Sequence, residues 1–509
     1  MSAGPTVEAM AATDRLKYPL KLGSRMLPMD AFLWQLEEVM PEVRMLMGAM
    51  LLLDRMPDRD RFRHSFEWLI ARVPRMRQHV VEPPIKVTLP EWHDDTHFEL
   101  DYHLRDVVLP EPATLRHCFD FCGATFAAPL DHLRPLWEAY LIEGLEGGKA
   151  AVFFKMHHAA VDGVGTVALF DALSQAHRAD PVRAPRRQAP QPERPASEQF
   201  VAMARNVVRD TVSLVSDTVG TAARAALNPL ETAGTAFRVA RSVSGMVRDL
   251  GTPKTKDPLA EGCLGIGRRL DGLVLELPRL RAIKDVFGVT LNDLMLTALA
   301  GAVGRYHDHR RAHVEVLNCL VPQSLRDDDH RHALGNRLGY FNVALPVGER
   351  DPLQRMDRIR QQASSAKGDR RAGGLPNIMR VMATVPGVGF RIMAQQIIGR
   401  SNMICTNIPG PSTVRYLGGA KIEAIYPFAP IMIGTPLSLA LVSYGDSYGL
   451  GFDTDPGAIP DPDLMHRYFE EAVDELEELA GNERPARRAR PRRAAPARKP
   501  AARKEAAEP

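Results

Sequence analysis

Apolar residues recur along the chain at two spacings, and the spacing switches where the elements should change. Residues 31–39 and 62–72 carry them at helical intervals, the second stretch ending near Pro74. Residues 44–53 form an apolar run suited to a buried strand, and residues 150–156 (AAVFFKM) a short strand with a β-branched and aromatic centre. After a polar loop, residues 166–177 return to helical spacing through Val167, Leu169, Phe170 and Leu173. Farther along, residues 270–277 alternate as a strand, 278–287 read as a short helix and 291–306 as a long apolar one. Thr290-Leu291-Asn292-Asp293 sets a hydroxyl three residues before a carboxylate, a capping-box pattern at a helix start. Strands are expected at 315–321, 337–346, 403–408 and 437–444, and a glutamate-rich helix at 463–479.

These segments fall into two mixed α/β blocks, residues 1–180 and 261–480. Between them, residues 181–260 change character. Five prolines and several arginines in 181–195 cannot pack as a core and read as a semi-rigid linker. Two amphipathic stretches follow, one through Phe200, Met203, Val207 and Leu214, the other through Phe237, Val243, Val247 and Leu250. Packing on the protein and lying in a lipid interface both fit such a pair. Residues 481–509 are Ala, Pro, Arg and Lys, a low-complexity tail expected to be disordered.

Composition sharpens this picture. With 45% hydrophobic and 25% charged residues, the 509-residue chain is neither collagen-like, wholly disordered nor a disulfide scaffold. Its length suggests roughly three domains, whereas the pattern supports two blocks, a linker and a tail. The net charge of +3 hides an asymmetry: residues 481–509 hold ten Lys/Arg against three Asp/Glu, a net of +7, which leaves −4 on residues 1–480. A basic tail on an acidic body offers no groove for nucleic acid. Five scattered cysteines suit a reducing compartment, and Cys118 and Cys122 lack partners at zinc-site spacing. Residues 1–21 lack the apolar core of a signal peptide. Residues 424–445 are uncharged and long enough to cross a bilayer, but Pro427, Pro430, Gly434 and Pro436 make them two strands broken by turns.

The most informative segment is His157-His158-Ala-Ala-Val-Asp162-Gly163, between the 150–156 strand and the helix from 166. A loop leaving a strand end puts side chains at the rim of a cleft. Histidine is poised near neutral pH to take a proton, an aspartate can brace the loop, and glycine allows backbone a β-carbon would obstruct. Two metal ligands or a structural histidine are the competing readings. No GxxxxGK[ST] or complete GxGxxG is present, which disfavours nucleotide hydrolysis and dinucleotide redox chemistry.

HHxxxDG after a short apolar strand resembles the signature of bacterial wax ester synthase/acyl-CoA:diacylglycerol acyltransferases, members of the CoA-dependent acyltransferase superfamily. Further segments match in order: Pro28-Met-Asp-Ala-Phe-Leu-Trp34, Pro135-Leu136-Trp137, Thr290-Leu-Asn292-Asp293, Val321-Pro-Gln-Ser-Leu-Arg326, Gly335-Asn336-Arg337 and Thr406-Asn407-Ile-Pro-Gly-Pro411. The resemblance covers about residues 27–479. It implies an α/β fold with mixed sheets: two chloramphenicol-acetyltransferase-like subdomains joined by a long helical linker, with a channel between them.

It also implies that His158 is the general base, supported by His157, with Asp162 holding the loop through an arginine and Gly163 completing the motif. Asn292 is a candidate for polar contact at the reacting centre, although Asn292 and Asp293 also suit a helix cap. Pro135, Leu136 and Trp137 read as structural, and Asn336, Arg337, Asn407 and Pro409 as shaping the cleft. The implied reaction moves a long-chain acyl group from acyl-CoA directly to a hydroxyl of diacylglycerol or a long-chain alcohol. It needs no acyl-enzyme, cofactor or metal, and no nucleic acid partner. A cytoplasmic protein touching the inner membrane or lipid bodies follows from such substrates. A lipid-surface binding protein without catalysis is the alternative from another class, which an intact HHxxxDG disfavours.

Overall fold

In the computed structural model, which describes residues 23–83, 88–161, 163–182, 185, 205, 255–260, 265–324, 338–369 and 387–489, the apolar runs become two six-stranded sheets. The first block contributes helix α1 (Pro28–Val39), strand β1 (Leu46–Leu53), α2 (Arg59–Arg72), β2 (Gln78–Val81) and β3 (Glu91–Asp94). It continues through the single turn α3 (Leu100–His103), β4 (Leu104–Val108), α4 (Leu115–Ala127), β5 (Trp137–Leu145), β6 (Lys149–His157) and α5 (Gly163–Leu173). The second block opens with β7 (Arg269–Glu276), α6 (Leu277–Phe287) and α7 (Leu291–His309). Then come β8 (Leu317–Ser324), β9 (Leu338–Leu345), α8 (Pro352–Asp369), α9 (Gly387–Ile398) and β10 (Met403–Ile408). The chain closes with β11 (Tyr416–Leu417), β12 (Ala420–Phe428), β13 (Leu437–Tyr444), β14 (Ser447–Thr454) and α10 (Pro462–Ala489).

Both sheets are mixed, as expected. One has the order β11-β12-β1-β6-β5-β4 and the other β7-β14-β13-β10-β8-β9. The β4–β5, β10–β13 and β8–β10 pairs are parallel and the other pairs antiparallel. Residues 424–445 do form two strands joined by turns, but the two part company. β13 stays in the second sheet, whereas β12 crosses to pair with β1 in the first, Tyr426 opposite Met50. A cut of the chain at residue 261 therefore does not separate two packing units.

The crossing depends on close approach. β12 lies on β14 at Gly449 and Gly451, where a β-carbon would collide with the Ile425 and Pro427 carbonyl oxygens, and its Tyr426 ring covers Gly272 of β7. Two apolar cores result. Leu417, Ile422, Ile425 and Phe428 join the core of the first block, and α6, α7 and α10 pack the second.

The long apolar helix is α7, capped by Thr290 and Asp293. The last helix departs from expectation at its end: it runs through Gly481 to Ala489. A helical glycine costs only about 1 kcal/mol, and buried Phe469, Val473 and Leu476 anchor the preceding turns. Among the described residues no single helix is long and apolar enough to cross a membrane. α6 and α7 pass that test only together, bent by 95°, and Leu294 to Val303 of α7 are buried in the second core. The two amphipathic stretches of 198–250, apart from Arg205, and the tail beyond 489 lie outside the described residues.

Candidate active site

The Pro135-Leu136-Trp137 segment builds the floor beside the histidine pair. Trp137 is buried, donates its indole N–H to the Met76 carbonyl at 2.7 Å, and stacks on Phe66 and His103. The Leu136 carbonyl accepts the His157 amide at 3.0 Å. β6 thus ends on His157, held edge-on between β5 and β1.

The next residue turns out of the sheet. The His158 amide donates to the Met45 carbonyl at 2.7 Å, just before β1, and Ala160 N–H closes a turn on the His157 carbonyl at 3.0 Å. The His158 side chain thereby lines an apolar cavity of about 360 Å³ between the two sheets. Phe32 and Leu36 of α1, Phe170 of α5 and Val442 of β13 supply much of its wall. Among the described residues its other polar side chains are few: Thr166 from α5, Ser401, and Thr406 and Asn407 from β10. Thr406 and Asn407 come from the opposite sheet, so the cavity is assembled by both blocks. The Thr406–Pro411 segment reaches it because Gly410 packs on the Ser443 carbonyl, where a β-carbon would collide, and donates its N–H to Ser443 Oγ at 3.0 Å. The Tyr448 phenol lies beside Asn407, its ionisation pushed up by burial.

His157 points the other way, into protein. It is fully buried, and its Nδ1 accepts the Ala159 N–H at 3.0 Å. A ring nitrogen that accepts carries no proton, so the ring is neutral with the proton on Nε2. That Nε2 lies 3.2 Å from Glu37 Oε2. Glu37 also accepts the Met45 N–H at 2.8 Å, and its Oε1 lies 3.7 Å from His132 Nε2 and 3.9 Å from Arg44. Burial alone would raise the Glu37 pKa, but the contacts with His132, His157 and the Met45 amide hold it well below the usual carboxylate range.

Donor atoms of Glu37, His132 and His157 lie within 4.8 Å of one another, the spacing of a cation site. The protonated nitrogen of His157 is the one that faces Glu37, which makes it a donor rather than a ligand. The sequence reading passed over Glu37 and His132. A signal existed for Glu37: it lies four residues after Leu33 and one after Leu36, a charge on the apolar face of α1.

Of the other motif residues, Gly163 starts α5. Asp162, Asn336 and Arg337 lie outside the described residues. Asn292 and Asp293 are not among the cavity's lining residues. Asp293 Oδ2 accepts from the Thr290 N–H at 3.0 Å and hydroxyl at 2.7 Å, while Thr290 Oγ1 accepts the Asp293 N–H at 3.1 Å. That is the capping role. Cys118 and Cys122 are buried thiols packed on the Met50 sulfur.

Comparison with known proteins agrees with this architecture. The wax ester synthase/diacylglycerol acyltransferase catalytic domain matches residues 26–295, and the C-terminal domain of the same family matches 334–477. A Mycobacterium tuberculosis protein named as a diacylglycerol O-acyltransferase is 32% identical over 470 residues, covering 91% of this chain and 94% of that protein. The O-acyltransferase WSD of Acinetobacter baylyi is 26% identical over 394 residues, covering 75% of this chain and 82% of that protein. In fold, the chain is similar to the wax ester synthase/diacylglycerol acyltransferase from Marinobacter aquaeolei VT8. There the TM-score is 0.62 at 21% identity, over 90% of this chain and all of that one. The first condensation domain of the calcium-dependent antibiotic synthetase follows at TM-score 0.57 and 16% identity, over 91% of this chain and 97% of that one. The chain belongs to the wax ester synthase/diacylglycerol acyltransferase family of acyl-CoA-dependent O-acyltransferases.

Proposed function

We propose that this protein transfers a long-chain acyl group from acyl-CoA to the free hydroxyl of diacylglycerol, forming triacylglycerol, with His158 as general base. The observation that carries the reading is the placement of the His158 side chain on an apolar cavity between the sheets, where few other polar groups stand among the described residues. An alcohol is too weakly acidic to ionise in advance, so its proton must leave as the oxygen attacks. His158 takes that proton, the oxygen bonds to the thioester carbon, and the C–S bond breaks. The imidazolium then returns the proton to the departing thiolate, giving free CoA. General-base help of this kind is worth about 10²–10⁴-fold, with positioning supplying much of the rest. The steps leave acyl-CoA as a substrate and call for no cofactor.

Purified protein given palmitoyl-CoA should release CoA only when an acceptor is present, and His158→Ala should lose most of that turnover. Unchanged turnover in the variant would reject His158 as the base.

Wax ester formation is the second reading, favoured by the wax ester synthase name of the Marinobacter relative and by walls that suit an alkyl chain. Diacylglycerol and hexadecanol offered in competition, with both products quantified, decide between the two. Lipid substrates of either kind place the work at a membrane or lipid-body surface on the cytoplasmic side.

A further inference from the structure

Glu37 is a buried carboxylate on the face of α1 turned toward the histidine pair, and a single oxygen carries two contacts. Oε2 accepts the Met45 N–H at 2.8 Å and lies 3.2 Å from the protonated Nε2 of His157. Each contact leads to His158 through one more bond. The Met45 carbonyl accepts the His158 amide at 2.7 Å, and His157 precedes His158 while its Nδ1 accepts the Ala159 amide just beyond it at 3.0 Å. The backbone on both sides of His158 is therefore tied to one carboxylate. The remaining oxygen faces His132, Arg44 lies at the edge, and the buried Lys155 adds its field from β6. His132 is partly exposed and packs against Trp34, ring centres 4.4 Å apart and planes tilted by 39°.

We propose that Glu37 is a positioning residue for acyl transfer: it fixes the His157 tautomer and the Met45 amide together, so that His158 is presented to the cavity with a negative charge behind it. The inference rests on the reading of His158 as general base. Charge and geometry can be parted because the Met45 hydrogen bond and the His157 contact both fall on Oε2. In Glu37→Gln an amide oxygen in that place accepts the Met45 N–H and stays beside His157 Nε2, and the amide NH₂ faces the His132 ring. The substitution removes the charge and keeps the contacts.

The test compares wild type, Glu37→Gln and Glu37→Ala in palmitoyl-CoA and diacylglycerol turnover across pH, with thermal unfolding of each. Glu37→Gln should lower kcat roughly 10- to 100-fold, the scale of losing a group that orients a histidine, while KM for palmitoyl-CoA stays within about twofold. A lost neighbouring negative charge makes His158 easier to deprotonate, so the acid limb of kcat/KM should move down by about one pH unit. Glu37→Ala, which also frees the Met45 amide, should lose more and melt lower. A Glu37→Gln protein with wild-type kcat and pH profile overturns the proposal, whatever its melting temperature. ¹⁵N-histidine spectra of the wild type give a second measurement that needs neither turnover nor a folded variant: His157 should be the Nε2–H tautomer, and the Nδ1–H tautomer overturns the proposal. Absent acceptor-dependent turnover in the wild type would fault the functional reading instead, and the spectra would still decide the tautomer.

Discussion

Glu37 and Asp453 are both buried carboxyls, yet their surroundings drive them in opposite directions. Glu37 accepts the Met45 N–H, lies beside His157 and His132, and stays ionised. Asp453, on β14 opposite Ser438, is fully buried, with no hydrogen-bond partner on either oxygen among the described residues. Burial pushes its pKa up to about 8, with Asp455 adding to the rise and Arg268 opposing it. An acid with a raised folded pKa binds its proton more tightly folded than unfolded. Its contribution to stability is therefore full below the unfolded value of about 3.9 and is lost as pH climbs toward 8. Asp453→Asn keeps the shape and removes the titration. Its unfolding free energy should exceed wild type by about 1 kcal/mol or more at pH 8.5 and differ little near pH 4. Denaturant melts at the two pH values check this, and a variant no more stable at pH 8.5 contradicts it. Nothing in the strand pattern around Asp453 marks it as buried, because an alternating strand offers a polar residue two equivalent faces until the packing of its sheet is known.

At the scale of elements, the contact of β12 with β14 is the joint between the two halves. Gly449 and Gly451 let two backbones meet where any side chain would intervene. Gly451→Ala should destabilise the protein by roughly 1–3 kcal/mol, the cost of overpacking a close interface. It should also impair turnover, since β12 and β13 both wall the cavity. Unfolding midpoints and palmitoyl-CoA turnover measure the two effects. The same glycines explain why β14 was not legible in the sequence: SYGLGFDT alternates as a strand should, but glycines occupy part of one face and read as turn signals. Runs that hold their full apolar faces, such as those of β1, β6, β13 and α7, could be placed within a few residues. α4 has no counterpart in the sequence reading, which took Cys118 and Cys122 as ordinary thiols; their helical spacing buries them against Met50.

For the whole molecule, the extension of α10 to Ala489 moves the place where a basic tail can be cut. Residues 490–509 carry seven Lys/Arg and two Glu. Each cation near an anionic surface is worth about 1 kcal/mol, so deleting 490–509 should weaken flotation with anionic vesicles, most clearly at low salt. Unfolding and detergent-solubilised turnover should stay near wild type. Flotation equal to that of the full chain would remove the tail from membrane attachment.

The sequence by itself determined the local elements, the motif that singles out His158 and the family to which those motifs point. Apolar period, capping pairs and turn residues act over a few positions, and a motif in order along the chain can be read without its neighbours in space. Only the tertiary structure decided that β12 leaves its own block for the other sheet, that Asn407 and His158 line one cavity, and that Glu37 stands behind His157. Those facts depend on backbones far apart in sequence meeting at glycines, and on which face of a helix is turned inward. No local period encodes either.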